Sequence, residues 1–301
     1  MAASVKAATP WSRSAGSARA LTFNSDLDLL LLYDYHGRAA MSDGPQPLPA
    51  CQYYVRLTQR LIAALSCNFG DGPLFAVDFR LRPWGRKGPI ATRVASLRDY
   101  FATEAWTFEA MALTRARVVT ASPGFDKEVE AALRAAIRAV GTRADVRADA
   151  AAMRRMVQRE KASRRVWDVK CVAGGLMDID FVVHALALEH LAAFDGIAMH
   201  DMAAAIHTLT AVGALARADA AVLTSAHALY QTAIQHLRIA PEPCNARAMP
   251  DAFAAILARA CGCADIGALE RRLRAAQRAV RQVFERVLGR SQRACTRREA
   301  A

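Results

Sequence analysis

The chain has 301 residues, 53% of them hydrophobic, and a formal charge of +12, which is material for one large core or two ordinary ones. No uninterrupted apolar run approaches the ~18 residues that span a bilayer, and the basic start lacks the apolar centre of a secretory signal, so a cytoplasmic protein with no membrane partner is expected. The charge comes mainly from arginines dispersed beside alanine and glutamate, dense only at 271–290 and 293–298; this suits an anionic substrate or an acidic protein as well as it suits nucleic acid, and no specific nucleic-acid partner is expected.

Residues 1–20 are rich in Ala, Ser, Arg and Gly without a period, and Pro10 with the Ser/Arg-rich run argues against a strand there. The stretch is read as a disordered or altered N-terminal segment. A nearly continuous apolar run predicts a central strand over 27–35. A loop follows over 37–48, an amphipathic helix over 52–66, a turn at Gly70-Asp71-Gly72-Pro73 and an alternating strand over 74–81. Helices are predicted over 97–103 and 106–119. Beyond residue 126 the periodicity is helical throughout, with helices expected at 127–140, 148–162, 178–191, 201–212, 217–239 and 266–288. Strands followed by helices predict an α+β chain: a small mixed-sheet domain over 21–122, an all-α helical bundle over 123–290, and a flexible tail over 291–301. The seven cysteines (Cys51, Cys67, Cys171, Cys244, Cys261, Cys263 and Cys295) are scattered, and Cys261-Gly262-Cys263 has no matching second pair. They are read as reduced, without a zinc site.

Three aspartates carry the chemistry. Asp26 and Asp28 lie in Ser25-Asp26-Leu27-Asp28 at the head of the first strand, where alternation points both the same way. Asp78 lies in Val77-Asp78-Phe79-Arg80-Leu81-Arg82-Pro83 on the second strand. Carboxylates on rigid strands offer the hard oxygen ligands that Mg²⁺ takes, alongside substrate phosphates, and such sites support nucleotidyl transfer. Asp-x-Asp is also a common tripeptide at strand ends, so the tripeptide alone is a weak signal.

Four segments together resemble the bacterial glutamine synthetase adenylyltransferase family, within the DNA polymerase β-type nucleotidyltransferase superfamily. They are Ser25-Asp26-Leu27-Asp28; Asp78-Phe79-Arg80-Leu81-Arg82-Pro83; Glu104-Ala105-Trp106-Thr107-Phe108-Glu109 leading to Arg115 and Arg117; and Lys170-Cys171-Val172-Ala173-Gly174-Gly175-Leu176-Met177-Asp178-Ile179-Asp180. The order and spacing match over about 21–288. Members of this family are large and carry two such units, one attaching AMP to a tyrosine of glutamine synthetase and one removing it by phosphorolysis. The third and fourth segments are more similar to the attaching unit. The family also places a strand and a glycine turn followed by an acid ahead of its Ser-Asp-x-Asp; here the segment from Gly16 to Asn24 departs from that pattern, and a truncated remnant acting as an interaction module is the rival expectation.

The resemblance implies roles. Asp26, Asp28 and Asp78 would be catalytic metal ligands for Mg²⁺, with ATP as substrate. Ser25, Arg80, Arg82, Lys170, Gly174 and Gly175 would contact the nucleotide. Glutamine synthetase would be the acceptor, and a PII-type nitrogen-signalling protein a regulator. Each role has a structural counterpart. Ser25 serves equally as a strand-start cap, and Arg80 or Arg82 as an ion-pair partner. Arg115 and Arg117 suit a helix C-terminus. Trp106 reads as core, Asp178 as a first-turn helix acid, and the Gly174-Gly175 turn as a link.

Overall fold

The computed structural model describes residues 2–6, 26–35, 41–67, 76–161, 163, 165–194, 199–238 and 249–289, with the backbone alone at 2–6 and 26. They divide into two compact units, Met1–Arg143 and Ala144–Ala301.

The first unit is organised by a mixed sheet of five strands: β1 (Ala2–Lys6), β2 (Asp26–Tyr33), β3 (Ala76–Asp78), β4 (Ala91–Arg93) and β5 (Arg117–Ala121). The order is β3-β2-β1-β5, with β4 also paired to β2. β2 runs parallel to β3 along its first residues and to β4 along its last, and antiparallel to β1. It is buried on both faces, which is why it is apolar at consecutive positions rather than alternately. Leu29, Leu31 and Tyr33 pack with Phe79 and Ala91 against Tyr54, Val55, Leu61 and Ile62 of helix α1 (Ala50–Leu65). Leu30 and Leu32 on the other face are equally buried.

At Ala2–Lys6, strand β1 corrects the reading of residues 1–20 as a disordered or altered segment. Ala-Ala-Ser-Val-Lys has little strand propensity of its own, yet it pairs with β2 from Ala2↔Tyr33 to Lys6↔Leu29 and with β5 on its other side. Tertiary pairing outweighs propensity here, and β1 gives β2 an antiparallel neighbour. The segment Gly16 to Asn24, which departs from the family's glycine turn, lies outside the described residues.

A second correction concerns 106–119, expected as one helix. Helix α2 (Val94–Thr103) is followed by α3 (Thr107–Leu113), which stops before Arg117-Val118-Val119-Thr120 turns into β5. Three β-branched residues in a row lose side-chain freedom in a helix and pack well on a sheet. Arg117 therefore begins a strand rather than closing a helix. The three-residue β4 was not foreseen. Helix α4 (Phe125–Arg143) belongs to this unit, packing on α2, α3 and β5.

The second unit is helical in its described residues: α5 (Val146–Glu160), α6 (Leu176–Glu189), α7 (Met202–Ala211), α8 (Arg217–Arg238), α9 (Asp251–Ala260) and α10 (Ile266–Leu288). Asp145, Asp201 and Asp265 cap α5, α7 and α10 by accepting hydrogen bonds from first-turn amides. α6 is apolar nearly all round and is the central helix, packed by α5, α7, α8 and α10. α9 went unpredicted; its ten residues are too short to give a firm period. The α+β reading, sheet first and helices after, stands.

Candidate active site

The parallel register brings two of the predicted carboxylates together. Asp28 and Asp78 are direct partners across β2 and β3. Opposite residues of adjacent parallel strands share a face and lie about 4.8 Å apart along the sheet. Asp28 is 1% exposed. Asp78 is the last residue of β3, at the carboxyl end of a parallel strand, where open α/β sheets place their ligands. Asp26 heads β2 opposite Ala76; its side chain, and Ser25 altogether, lie outside the described residues.

Asp78 is held in place by the residue two positions on. Arg80 donates from its backbone N–H to Oδ1 (2.8 Å), from Nε to Oδ2 (2.7 Å), and from Nη2 to Oδ2. Burial alone would raise the Asp78 carboxyl. The Arg80 hydrogen bonds, joined by the charges of Arg80 and Arg86, outweigh it and hold the group below the usual carboxylate range. Asp78 is thus a committed anion at neutral pH, suited to binding a cation and poorly suited to holding a proton. Arg82 turns elsewhere: its Nη1 donates to the Phe79 carbonyl and its Nε to the Gly88 carbonyl (3.3 Å), closing the loop after β3. The alternation expected to carry Arg80 and Arg82 along a strand ends with β3 at Asp78.

Among the described residues no three His, Cys, Asp or Glu side chains gather as a metal-binding group. Asp28 and Asp78 set two carboxyl groups at facing positions of the sheet, and hard oxygen donors of this kind fit a divalent cation such as Mg²⁺.

Lys170, Gly174 and Gly175 belong to the second unit, where Gly174-Gly175 is the turn into α6. Gly174 has φ 78°, and a Cβ there would sit 1.7 Å from the Gln277 carbonyl oxygen of α10. Only glycine allows that approach. Its N–H donates to Asp178 Oδ2 (2.8 Å) and its carbonyl accepts from the Tyr230 hydroxyl (2.9 Å). Asp178, fully buried in the first turn of α6, also receives Arg154 Nε (2.5 Å) and Arg281 Nη1 (3.2 Å). Arg154 further donates to the carbonyls of Cys171 and Val172. The turn is therefore a packed joint between α5, α6 and α10. Arg154, Arg281 and Tyr230 escaped the sequence reading; the available signal was an aspartate in the first turn of a mostly apolar helix, which calls for a buried cation.

Two family profiles cover most of the chain. The one described as glutamate-ammonia ligase adenylyltransferase matches residues 15–136, and the one described as GlnD PII-uridylyltransferase matches residues 147–288. The gap between them contains the division between the two units at Arg143 and Ala144. Curated relatives are similar over nearly the whole chain. One from Rhodopseudomonas palustris (strain BisB5) is 40% identical over 273 residues, 90% of this chain. One from Bradyrhizobium sp. (strain ORS 278) is 41% identical over 274 residues, and one from Xanthobacter autotrophicus (strain ATCC BAA-1158 / Py2) is 41% identical over 273. Each is named a bifunctional glutamine synthetase adenylyltransferase/adenylyl-removing enzyme, and the chain spans 28% of the length of each.

Proposed function

We propose, for a chain that belongs to the glutamate-ammonia ligase adenylyltransferase family, a nucleotidyltransferase unit that moves AMP from ATP to a tyrosine hydroxyl of glutamine synthetase and so tunes nitrogen assimilation. The observation that carries this reading is the register of β2 and β3, which sets Asp28 beside Asp78 at the end of a parallel strand pair.

In this reading Asp26, Asp28 and Asp78 hold Mg²⁺, which when bound would offset the negative charge of the phosphates. Asp28, buried and set on the central strand, has little freedom to move and so fixes the position of the phosphates. Asp78, kept ionised by Arg80, lies at the open end of its strand and faces the acceptor. The tyrosine oxygen attacks the α-phosphorus, the bond to the β-phosphate breaks, pyrophosphate leaves, and the hydroxyl proton is lost to solvent. Arg80, whose side chain is 64% exposed, is placed to meet phosphate oxygens as well as Asp78. Ser25, next to Asp26, contacts phosphate. Gly174 and Gly175, in the second unit beside Lys170, act through the packing they permit.

The adenylyl-removing direction is the second reading, supported by the double name of the relatives. A PII-type protein is the proposed regulator, supported by the match of residues 147–288 to a PII-uridylyltransferase profile. Among the described residues no helix is long and apolar enough to cross a membrane; a cytoplasmic site of action is proposed because the reaction draws on ATP and glutamine synthetase.

Direction is tested by two incubations of the full chain with Mg²⁺. Unmodified glutamine synthetase with ATP labelled at the α-phosphate should become labelled. Synthetase carrying labelled AMP, given inorganic phosphate, should keep its label. Release of label as ADP in the second incubation, with none gained in the first, would replace the attaching reading by the removing one.

A further inference from the structure

Beyond Arg80, the loop between β3 and β4 has no part in the steps above, yet it is elaborately built. Trp84 adopts φ 58°, the sole non-glycine residue among those described with positive φ. A bulky side chain there is strained, and such strain persists where surrounding contacts impose it. The contacts are specific. The Trp84 indole stands edge-on to Tyr100 with ring centroids 5.0 Å apart, and its Nε1 donates to Glu104 (3.0 Å). Despite these anchors Trp84 is 41% exposed.

The backbone of a second tryptophan, Trp106, joins the same cluster. The Tyr100 hydroxyl donates to Glu109 (2.9 Å), and Glu109 accepts from the backbone N–H of Trp106 (2.8 Å). Burial raises the Glu109 carboxyl, while its hydrogen bonds from Trp106 and Tyr100 act against that. Trp106 is 67% exposed; the sequence had placed it in the core. The bond from the Trp106 N–H to Glu109 belongs to the capping box that starts α3, so folding accounts for that anchor, but not for leaving the Trp106 indole exposed nor for straining the backbone of exposed Trp84. From Phe79 to Pro89 the chain also carries Arg80, Arg82, Arg86 and Lys87 and no acid, with Arg80, Arg86 and Lys87 exposed. The charge of Arg86 reaches Asp78, so the loop borders the proposed site.

We propose that Trp84 and Trp106 form the docking surface for an acidic segment of the acceptor protein, with Arg80, Arg86 and Lys87 as its basic rim. This rests on the transferase reading and deepens it. The Trp84 indole and the Trp106 backbone are linked through Tyr100, Glu104 and Glu109; two exposed indoles offer more than one nucleobase requires, and exposed tryptophan with arginine is the composition of protein interface centres. The cationic loop selects an acidic partner and speeds its approach.

The test uses Trp84→Gly, whose backbone is unstrained at that φ, Trp106→Ala, and the double substitution Arg86→Ala/Lys87→Ala, each checked for native circular dichroism. Binding of unmodified glutamine synthetase to the immobilised full chain is measured without ATP, and steady-state labelling is measured with it. Each tryptophan variant should bind the synthetase about 10-fold or more weakly, as interface anchors do, and raise KM for the synthetase while leaving KM for ATP unchanged. The double variant should slow association and flatten its salt dependence. Tryptophan variants that bind like the wild type would overturn the inference and leave the transferase reading intact. A raised KM for ATP with unchanged synthetase binding would also overturn it, pointing to base stacking instead. A wild-type chain that neither binds nor labels the synthetase would overturn both.

Discussion

Asp78 and Arg80 show how two residues of sequence separation set the electrostatics of a site. The carboxylate is bound by the side chain and the backbone of the same arginine, so its ionised form is favoured despite partial burial. A folded-state pKa below the unfolded value gives stability that is present above the ordinary carboxylate range and is lost as pH falls through the lowered value. Arg80→Met should therefore raise the Asp78 pKa in an NMR titration. In urea unfolding the variant should lose no more than about 1 kcal/mol at neutral pH, since Arg80 is largely in water. That difference should vanish as pH drops below the native Asp78 value. An unchanged Asp78 titration would show that burial or Arg86, and not Arg80, controls the group. In the sequence Asp28 and Asp78 were legible as carboxylates that two strands could bring together, and the register of β2 and β3 makes them partners. The Arg80 grip was legible only as one of two alternatives, since the strand ends at Asp78 and alternation no longer fixes where Arg80 points.

At the scale of elements, the second unit turns on the joint of α5, α6 and α10. Arg154 is 1% exposed and Asp178 fully buried, and one Arg154 nitrogen, Nη1, has no hydrogen-bond partner. Truncating one member of such a pair leaves a buried charge behind. Arg154→Met should cost about 3–5 kcal/mol in urea unfolding, and Arg281→Met clearly less, because Arg281 is partly exposed and Asp178 keeps Arg154. Equal losses would mean the network does not centre on Arg154. Gly174→Ala should cost more than about 1 kcal/mol, because the added methyl meets the α10 backbone in a conformation that already disfavours alanine; a neutral result would show that the two helices separate easily. The long helices were readable from periodicity, and α10 was predicted to the residue. The misses share one cause. β1 and β5 are strands because each finds a partner in the other and β1 a second in β2, and α3 ends because β5 must begin. Pairings between residues more than a hundred positions apart leave little trace in a local window.

For the whole molecule, the separation into Met1–Arg143 and Ala144–Ala301 is mirrored in the two family profiles that meet near it. The sequence placed this division near 121–125, where the strands stop. The structure gives α4 to the first unit, because that helix buries Phe125, Val129, Leu133 and Val140 in packing on the sheet and its helices. Chemistry-bearing carboxylates thus sit in one unit and a charge-stabilised helical joint in the other. The central claim is that the Asp28 and Asp78 pair drives transfer of AMP, and it is tested most directly by single-turnover labelling of glutamine synthetase from ATP carrying label at the α-phosphate. The wild-type full chain should transfer label. Asp28→Asn, close to isosteric, should keep the fold by circular dichroism and slow transfer by about 100-fold or more, the scale on which losing a group that acts on transition-state charge is felt. Transfer by Asp28→Asn at the wild-type rate, or a wild-type chain that transfers nothing to a synthetase it binds, would contradict the account.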